Sequence, residues 1–145
     1  MSLSMIALMS MLLMTFSPKP GYGQGAVPTK LDACPTSPNC VSSTAEASDA
    51  VHYIAPFQLK GTGATSLATL RQIIEAQPRT KIVRSEGNYL RAEFTSLILR
   101  FTDDVEFLFD ESTQTLQVRS ASRIGYSDMG ANRKRIELLR DLYTK

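Results

Sequence analysis

Residues 118–135 carry more charged and hydrogen-bonding side chains than a plain connection between a strand and a helix requires. Guanidinium groups bind carboxylates and phosphates with paired hydrogen bonds, and the N–H groups at the start of a helix also favour anions. This composition therefore predicts an anion-binding site rather than a nucleophilic one. The candidate ligand-binding residues are Arg119, Ser120, Ser122, Arg123, Tyr126, Asn132 and Arg135.

The same arginines have a second interpretation, in which they pair with carboxylates inside the fold. Residues 103–111 contain five acidic side chains and no basic one. The candidate acidic partners are Asp103, Asp104, Glu106 and Asp128. Such pairs would lock the last strand to the last helix, and Arg123→Ala would then cost about 3–5 kcal/mol by stranding a buried carboxylate. We favour this internal lock over a ligand site.

The acidic residues near 103–110 also allow an enzymatic alternative, a small hydrolase or lyase. Asp104, Glu106 and Asp110 share one face of a strand, and Asp103 lies on the other. A calcium site would need six or more oxygen ligands and a turn glycine, which this run lacks. No G-x-S-x-G motif accompanies the serines. We predict no catalytic residue, no metal site and no cofactor.

The chain of 145 residues has the length of one domain, and its net charge of +2 gives no strongly basic face for nucleic acid. Residues 1–16 are apolar and uncharged, which is typical of the core of a secretory signal. We predict a signal peptide over residues 1–23, a linker over 24–33 and one domain over 34–145. A buried N-terminal helix is the alternative, because no Lys or Arg precedes the apolar run.

Cys34 and Cys40 flank a turn that contains two prolines and an asparagine. In an exported protein two such cysteines form a disulfide by default. Free thiols, or a metal or redox site, are the alternatives. The chain has only one histidine, His52, so a zinc site would lack a second pair of ligands.

Apolar periodicity predicts two helices and a run of strands. One helix begins at Thr65 or Ser66 and ends at Pro78, and the other begins at Ser127 or Asp128. We predict an extended segment or an edge strand within 51–59, and strands over 81–85, 89–95, 97–102, 105–109 and 116–121. Alternation within the strands gives the sheet one apolar face and one charged face, which bears Arg91, Glu93, Arg100, Glu106 and Arg119. Short connections favour an antiparallel meander. The predicted fold is α+β, a two-layer sandwich of four to five strands with two helices packed on one face.

Three stretches resemble a known family: C-P-T-S-P-N-C-V-S-S from residue 34, D-D-V-E-F from residue 103, and R-S-A-S-R-I-G-Y-S-D-M-G-A-N-R-K-R-I-E from residue 119. They are similar to domain-of-unknown-function family 1499, over about residues 34–142. The resemblance implies a compact α+β domain, often exported or membrane-associated. It implies no reaction, cofactor or catalytic residue.

These features together predict an exported, non-enzymatic binding or accessory domain of the periplasm or extracellular space. Its partner is an anionic small molecule, a lipid head group or an envelope protein, and nucleic acid is not expected. Whether the domain associates with a membrane stays open at this point.

Overall fold

The computed structural model describes residues 25–145, so the predicted signal peptide over 1–23 lies outside the described residues. The elements follow in chain order as β1 (Cys40–Ser42), β2 (Phe57–Gln58), α1 (Gly63–Glu75), β3 (Thr80–Glu86), β4 (Tyr89–Thr95), β5 (Thr102–Asp110), β6 (Thr115–Ser122) and α2 (Ala131–Thr144). None of the helices formed by residues 25–145 is long and apolar enough to cross a membrane.

All six strands belong to one antiparallel sheet with the order β1-β6-β5-β4-β3, and β2 pairs with the same edge of β6 as β1 does. Strands β3 to β6 are consecutive neighbours because short connections join them. Both helices pack on one face of the sheet, which we call the helix face. The predicted α+β two-layer sandwich is confirmed, with six strands rather than four or five.

The core lies between the helix face and the two helices. Alternate strand residues point to this face because successive side chains of a strand project to opposite sides. The rings of Phe57 and Phe107 meet edge to face with centroids 5.2 Å apart, which adds about 0.5–1.5 kcal/mol to their burial. The buried apolar residues of the core include Val41, Phe57, Leu67, Leu70, Ile74, Leu90, Val105, Phe107, Leu116, Val118, Ile136, Leu139 and Tyr143.

Helix α1 begins earlier than the predicted cap at Thr65 or Ser66. Thr62 is the N-cap: Thr65 N donates to Thr62 Oγ1 at 3.1 Å, and Thr62 N donates to Thr65 Oγ1 at 2.9 Å. The buried Ser66 hydroxyl instead accepts a hydrogen bond from Lys60 N at 2.9 Å. The sequence offers three hydroxyl residues in five positions, and this reciprocal capping box decides among them.

We expect Gly63→Ala to destabilise the fold by about 1–3 kcal/mol, because a Cβ atom at Gly63 would lie 2.5 Å from the Phe109 ring. Urea denaturation of the two proteins measures this difference. The matched control is the same substitution in a Phe109→Ala background, where the clash is absent and alanine should be the better helix former. An equal cost in both backgrounds would contradict the steric explanation.

The predicted strand over 97–102 is wrong. Thr95 pairs with Thr102, so the residues between them form the loop that joins β4 to β5. Ser96 N donates to Phe101 O at 2.9 Å and closes this loop, while Arg100 adopts a positive φ of 57°. Arg100 is therefore not part of the charged sheet face, where strand alternation had placed it.

Two further boundaries differ from the predictions. Helix α2 has its N-cap at Gly130, whose φ is 78°, and not at Ser127 or Asp128. The Asp128 carboxylate still serves this helix start, since it accepts from Gly130 N and Asn132 N at 2.9 Å each. Of the predicted edge strand within 51–59 only Phe57–Gln58 is strand, and β1 was not predicted.

Candidate functional site

The predicted site residues are divided between the two faces of the sheet. Along β6, Ser120 and Ser122 point to the helix face, whereas Arg119 points to the opposite, open face. On β5, Asp103 faces Arg135 of α2, while Asp104 and Glu106 meet arginines of the open face. The separation of Asp103 from Asp104 and Glu106 follows the period of two expected for a strand. All the candidate residues except Tyr126 therefore belong to two clusters instead of one cleft.

Asn132 is the centre of the cluster on the helix face, and its side chain is fully buried. Its Oδ1 accepts from Ser120 Oγ at 2.5 Å, and its Nδ2 donates to Asp128 Oδ2 at 2.8 Å. The same Nδ2 lies 2.9 Å from Ser122 Oγ and 3.2 Å from Asn39 O. Asn132 thus connects α2 with β6 and with the start of β1.

Arg135 extends this cluster to β5. Its Nη2 donates to Asp103 Oδ2 at 2.6 Å and its Nη1 donates to Asn132 Oδ1 at 2.9 Å. The guanidinium also lies over the Phe94 ring, 5.0 Å from the centroid. Asp103 and Arg135 are mostly buried, so this guanidinium is committed to a carboxylate of the same chain.

The open face carries a second cluster, built from opposite charges on neighbouring strands. Asp104 accepts from Arg91 Nη2 at 2.8 Å and from Arg123 Nε at 2.9 Å, and Arg123 also pairs with Glu93. Register explains the contacts, because Glu93 lies opposite Asp104 in the β4–β5 pair. Like charges directly opposite each other destabilise a strand pair, so the Arg123 guanidinium, which contacts both carboxylates, offsets their repulsion.

The cluster continues along the open face around Glu106. Arg119 Nη1 donates to Glu106 Oε2 at 3.3 Å, and the Tyr89 hydroxyl donates to Glu106 Oε1 at 2.5 Å. Burial and the nearby Glu106 carboxylate raise the pKa of the Tyr89 hydroxyl above its usual value. Tyr89 therefore stays protonated and acts as a donor to this carboxylate.

Two carboxylates have low pKa values despite their burial. Burial raises the pKa of Asp104, but hydrogen bonds from Arg123 and Arg91 outweigh this and bring it below its usual value. Burial likewise raises the pKa of Asp128, and hydrogen bonds from Asn132 and Gly130 reverse the effect. Both groups stay ionised near neutral pH, which is unfavourable for a general acid. Residues 25–145 contain no group of three or more His, Cys, Asp and Glu side chains that could hold a metal ion.

Part of the open face is covered by residues 25–34 of the chain before β1, which we call the covering segment. Leu31 is buried against Tyr89 and Leu108, and Val27 packs on the same group. Arg84 Nη2 donates to Gly25 O at 2.7 Å and holds the beginning of this segment on β3. Within the linker predicted over 24–33, the described residues Gly25, Val27 and Leu31 thus contact the sheet.

Cys34 and Cys40 form a disulfide, with an S–S distance of 2.03 Å and a Cα–Cα distance of 5.6 Å. The disulfide prediction is confirmed. Cys40 is fully buried in β1, so the bridge connects the covering segment to the edge of the sheet. So small a loop shapes the chain locally more than it constrains the unfolded state.

Arg123→Ala is expected to destabilise the fold by about 1 kcal/mol, less than the sequence-based figure for a buried pair. The Arg123 side chain is 41% exposed, and Asp104 keeps Arg91 as a partner after the substitution. Chemical denaturation at neutral pH tests this, with Arg71→Ala as the control because Arg71 forms an exposed pair with Glu75. A loss of 3 kcal/mol or more would show that Arg123 holds the lock by itself.

The sequence-based predictions missed an exposed apolar surface at one end of the sheet. The β4–β5 loop and the β6–α2 loop leave the sheet at this end, where Arg123 N donates to Thr102 O at 3.1 Å. Ile98 is 85% exposed and Met129 is 88% exposed. We call this surface the apolar tip, and it consists of Leu97, Ile98, Leu99, Phe101, Ile124, Tyr126 and Met129.

The apolar tip could have been found in the sequence. Leu97, Ile98 and Leu99 are consecutive, and a strand with one charged face would have placed a polar residue among them. The tip also includes Tyr126, which was predicted as a ligand-binding residue, and it borders Arg123. The tip thus brings seven large exposed apolar side chains together on two adjacent loops.

Concave sites lie at both ends of the domain. A groove of about 330 Å³ lies beside the apolar tip, where Phe94 and Leu138 meet Arg79 and Lys134. A larger cavity of about 590 Å³ lies between the covering segment and the β5–β6 turn, lined in part by Leu108 and Asp110. None of the seven predicted ligand-binding residues lines this larger cavity.

Comparison with known proteins adds the family to this description. No curated protein matches the chain. The model of one family, described as "Protein of unknown function (DUF1499)", matches residues 30–142, which is most of the chain and includes every strand and nearly all of α2. The chain therefore belongs to the DUF1499 family, as the resemblance over residues 34–43 and 119–137 predicted.

Proposed function

We propose that this protein is an exported, non-enzymatic binding or accessory domain that docks through the apolar tip onto a component of the cell envelope. One observation carries this proposal: seven large apolar side chains are exposed together on two adjacent loops. Contiguous exposed apolar surface of this kind is uncommon on proteins that have no binding partner. The rest of the domain provides a rigid base for these loops.

The arginine block supports the fold rather than a small anionic ligand. Arg119, Arg123 and Arg135 each contact a carboxylate of the same chain. Releasing Arg135 or Arg119 to a ligand would leave Asp103 or Glu106, both mostly buried, without its arginine, at a cost of several kcal/mol. The contribution of this block to binding is thus to hold the β6–α2 loop, with Tyr126, in place.

Export is supported by two features of different kinds. The Cys34–Cys40 disulfide is a bond that persists in oxidising compartments such as the periplasm. The apolar residues 1–16 have the composition of a secretory signal. The hydrolase or lyase alternative stays a prediction, and the ion pairs of Asp103, Asp104 and Glu106 favour a structural role for these carboxylates.

Co-sedimentation with envelope membranes tests the proposal. The protein is recovered from expressing bacteria, its N-terminus is determined by mass spectrometry, and it is mixed with washed membranes that retain their proteins. Ile98→Ser with Met129→Ser should lower the bound fraction about tenfold or more, because two exposed apolar side chains are lost. Val51→Ser is the matched control, since Val51 is 52% exposed outside the tip. Equal binding of the tip variant and the control would overturn the proposal.

A further inference from the structure

We infer that the partner of the apolar tip is a lipid bilayer surface with anionic phosphate head groups. This inference rests on the proposed function and names the partner at the same surface. The β4–β5 and β6–α2 loops would insert their apolar side chains at the level of the head groups, and nearby cations would contact the phosphates. Apolar insertion combined with attraction to anionic lipids is the general basis of such peripheral binding.

The shape of the tip favours a fluid surface. Its apolar side chains lie on two loops that project beyond the last paired residues of the sheet, Thr95 with Thr102 and Asp103 with Ser122. The most exposed side chains, Ile98, Tyr126 and Met129, are between 73% and 88% exposed. Projecting apolar loops insert readily into a bilayer interface, whereas a stable protein interface needs an extended complementary surface.

The charges around the tip match an anionic surface. Arg79, Arg100 and Lys134 are exposed at this end, and within residues 25–145 no carboxylate lies within ion-pair distance of them. Arg100 lies between Leu99 and Phe101, so its guanidinium would reach the phosphates as the loop inserts. Each cation near an anionic bilayer contributes to binding.

The carboxylates at this end do not cancel these cations. Asp103 and Asp104 pair with arginines, and Glu93 pairs with Arg123. Asp128 keeps its charge, because its hydrogen bonds come from the neutral groups of Asn132 and Gly130. The three exposed cations Arg79, Arg100 and Lys134 outnumber this one carboxylate, so the charge around the tip is positive on balance.

The groove beside the tip adds a place for one lipid. Phe94 and Leu138 contribute apolar lining, and Arg79 and Lys134 contribute cationic lining. This combination of apolar and cationic lining fits the upper part of an acyl chain and a phosphate. A volume of about 330 Å³ is at the small end of ligand-binding clefts, which suits part of a lipid.

A second copy of the chain is the strongest rival occupant. The cavity at the opposite end has apolar walls, including Leu31 and Leu108, with Asp110 and Glu111 beside them. Its volume of about 590 Å³ suits one small ligand and is too small for the seven side chains of two loops. Head-to-tail contacts of this kind would also build rings or open filaments rather than a discrete dimer.

Protein-free vesicles test the inference. The protein, with its N-terminus determined, is sedimented with extruded vesicles of phosphatidylcholine alone or with phosphatidylglycerol at about a 2:1 ratio, where anionic head groups create the surface potential. We expect binding to the mixed vesicles at least tenfold stronger than to phosphatidylcholine. Ile98→Ser with Leu99→Ser, and separately Arg100→Gln with Lys134→Gln, should each lower it about tenfold or more. Val51→Ser and Lys30→Gln are the matched controls outside the tip.

A fluorescence measurement reports insertion directly. The chain contains no tryptophan, so Ile98→Trp introduces a single indole at the tip. Its emission should shift to shorter wavelength with mixed vesicles, and that of Val51→Trp should not, because only the tip enters the apolar region. Thermal unfolding of the variants should be unchanged, since these side chains are exposed.

The outcomes separate the inference from the proposed function. Tip-dependent binding to the mixed vesicles with an emission shift supports both. Tip-dependent binding to envelope membranes without binding to protein-free vesicles overturns the lipid inference and leaves a protein partner. Vesicle binding that is equal for the tip variants, or self-association lost in those variants, also overturns the lipid inference. Binding to neither envelope membranes nor vesicles overturns both.

Discussion

Asn132→Ala is expected to lower the free energy of unfolding by about 3–4 kcal/mol, although it removes only one small side chain. The side chain is fully buried, and Ser120 Oγ and Asp128 Oδ2 both bond to it. Truncation leaves the fully buried Ser120 hydroxyl without that partner, and it removes one hydrogen bond from the partly buried Asp128, which keeps those from Gly130 N and Asn132 N. Each unsatisfied buried group costs about 1–3 kcal/mol, and a charged group costs more.

The position of Asn132 increases this effect, because its contacts join elements far apart in the chain. Asn39 precedes β1, Ser120 lies in β6 and Asp128 lies in the loop before α2. The substitution should therefore loosen both the start of α2 and the edge of the sheet. It should also weaken tip-dependent binding, since the β6–α2 loop carries part of the tip.

Urea denaturation followed by far-ultraviolet circular dichroism measures the loss. Asp141→Ala is the matched control, because Asp141 is exposed on the same helix and should change stability by less than about 0.5 kcal/mol. If the two variants were equally stable, Asn132 would not be the connection that the contacts indicate.

Asp104→Ala is expected to cost a similar amount, about 3–4 kcal/mol at neutral pH. Asp104 accepts from Arg91 and from Arg123, and the Arg91 side chain is only 6% exposed. Removing the carboxylate leaves a buried guanidinium without this partner, so the loss exceeds the one expected for Arg123→Ala. The two substitutions at one ion pair thus have unequal effects, since only one of the two arginines is deeply buried.

The loss of stability caused by Asp104→Ala should become smaller as the pH falls. Hydrogen bonds from Arg123 and Arg91 outweigh burial and lower the pKa of Asp104 in the folded protein. A carboxylate with a lowered folded pKa stabilises the fold fully above its unfolded pKa, at about pH 4 and higher. This contribution is lost as the pH falls through the folded pKa.

The stability difference between the original protein and Asp104→Ala should therefore be constant from pH 7 to about pH 5 and should shrink below about pH 4. Denaturation series at several pH values measure this difference, and Arg71→Ala provides an exposed ion pair as the comparison. A difference that grew as the pH fell would contradict the lowered pKa and the pairing that causes it.

Sequence periodicity correctly predicted a strand where apolar residues alternate with polar or charged ones without interruption. Residues 89–95 were predicted with the observed bounds, because Leu90, Ala92 and Phe94 repeat every second position. It failed over 97–102, where Leu97, Leu99 and Phe101 also recur at every second position but residues 97–101 form a loop. Local pattern does not report whether a neighbouring strand extends far enough to pair with it, and here β4 and β5 end their pairing at Thr95 and Thr102.

The sequence indicated that internal ion pairs form between the acidic and basic blocks, but it did not indicate which residues pair with each other. Acidic and basic blocks in one chain indicate mutual pairing, and Arg119, Arg123 and Arg135 each found a carboxylate. Their partners depend on strand register and on the placement of α2, which are long-range properties. Arg91 was predicted on the charged face, but its contact with Asp104 required the β4–β5 register, which sets Glu93 opposite Asp104.

By itself the sequence determined the α+β class, the helix stripes, the alternation of strand faces and the cysteine pair, because each depends on spacing along the chain. Only the tertiary structure decided that Asn132 is the centre of a buried network and that two loops form one apolar tip. Those features join segments such as Asn39 and Asn132, which meet only after the sheet and helices have packed. Burial and exposure are properties of the packed chain, so Ile98 and Leu90 differ in role although both are apolar.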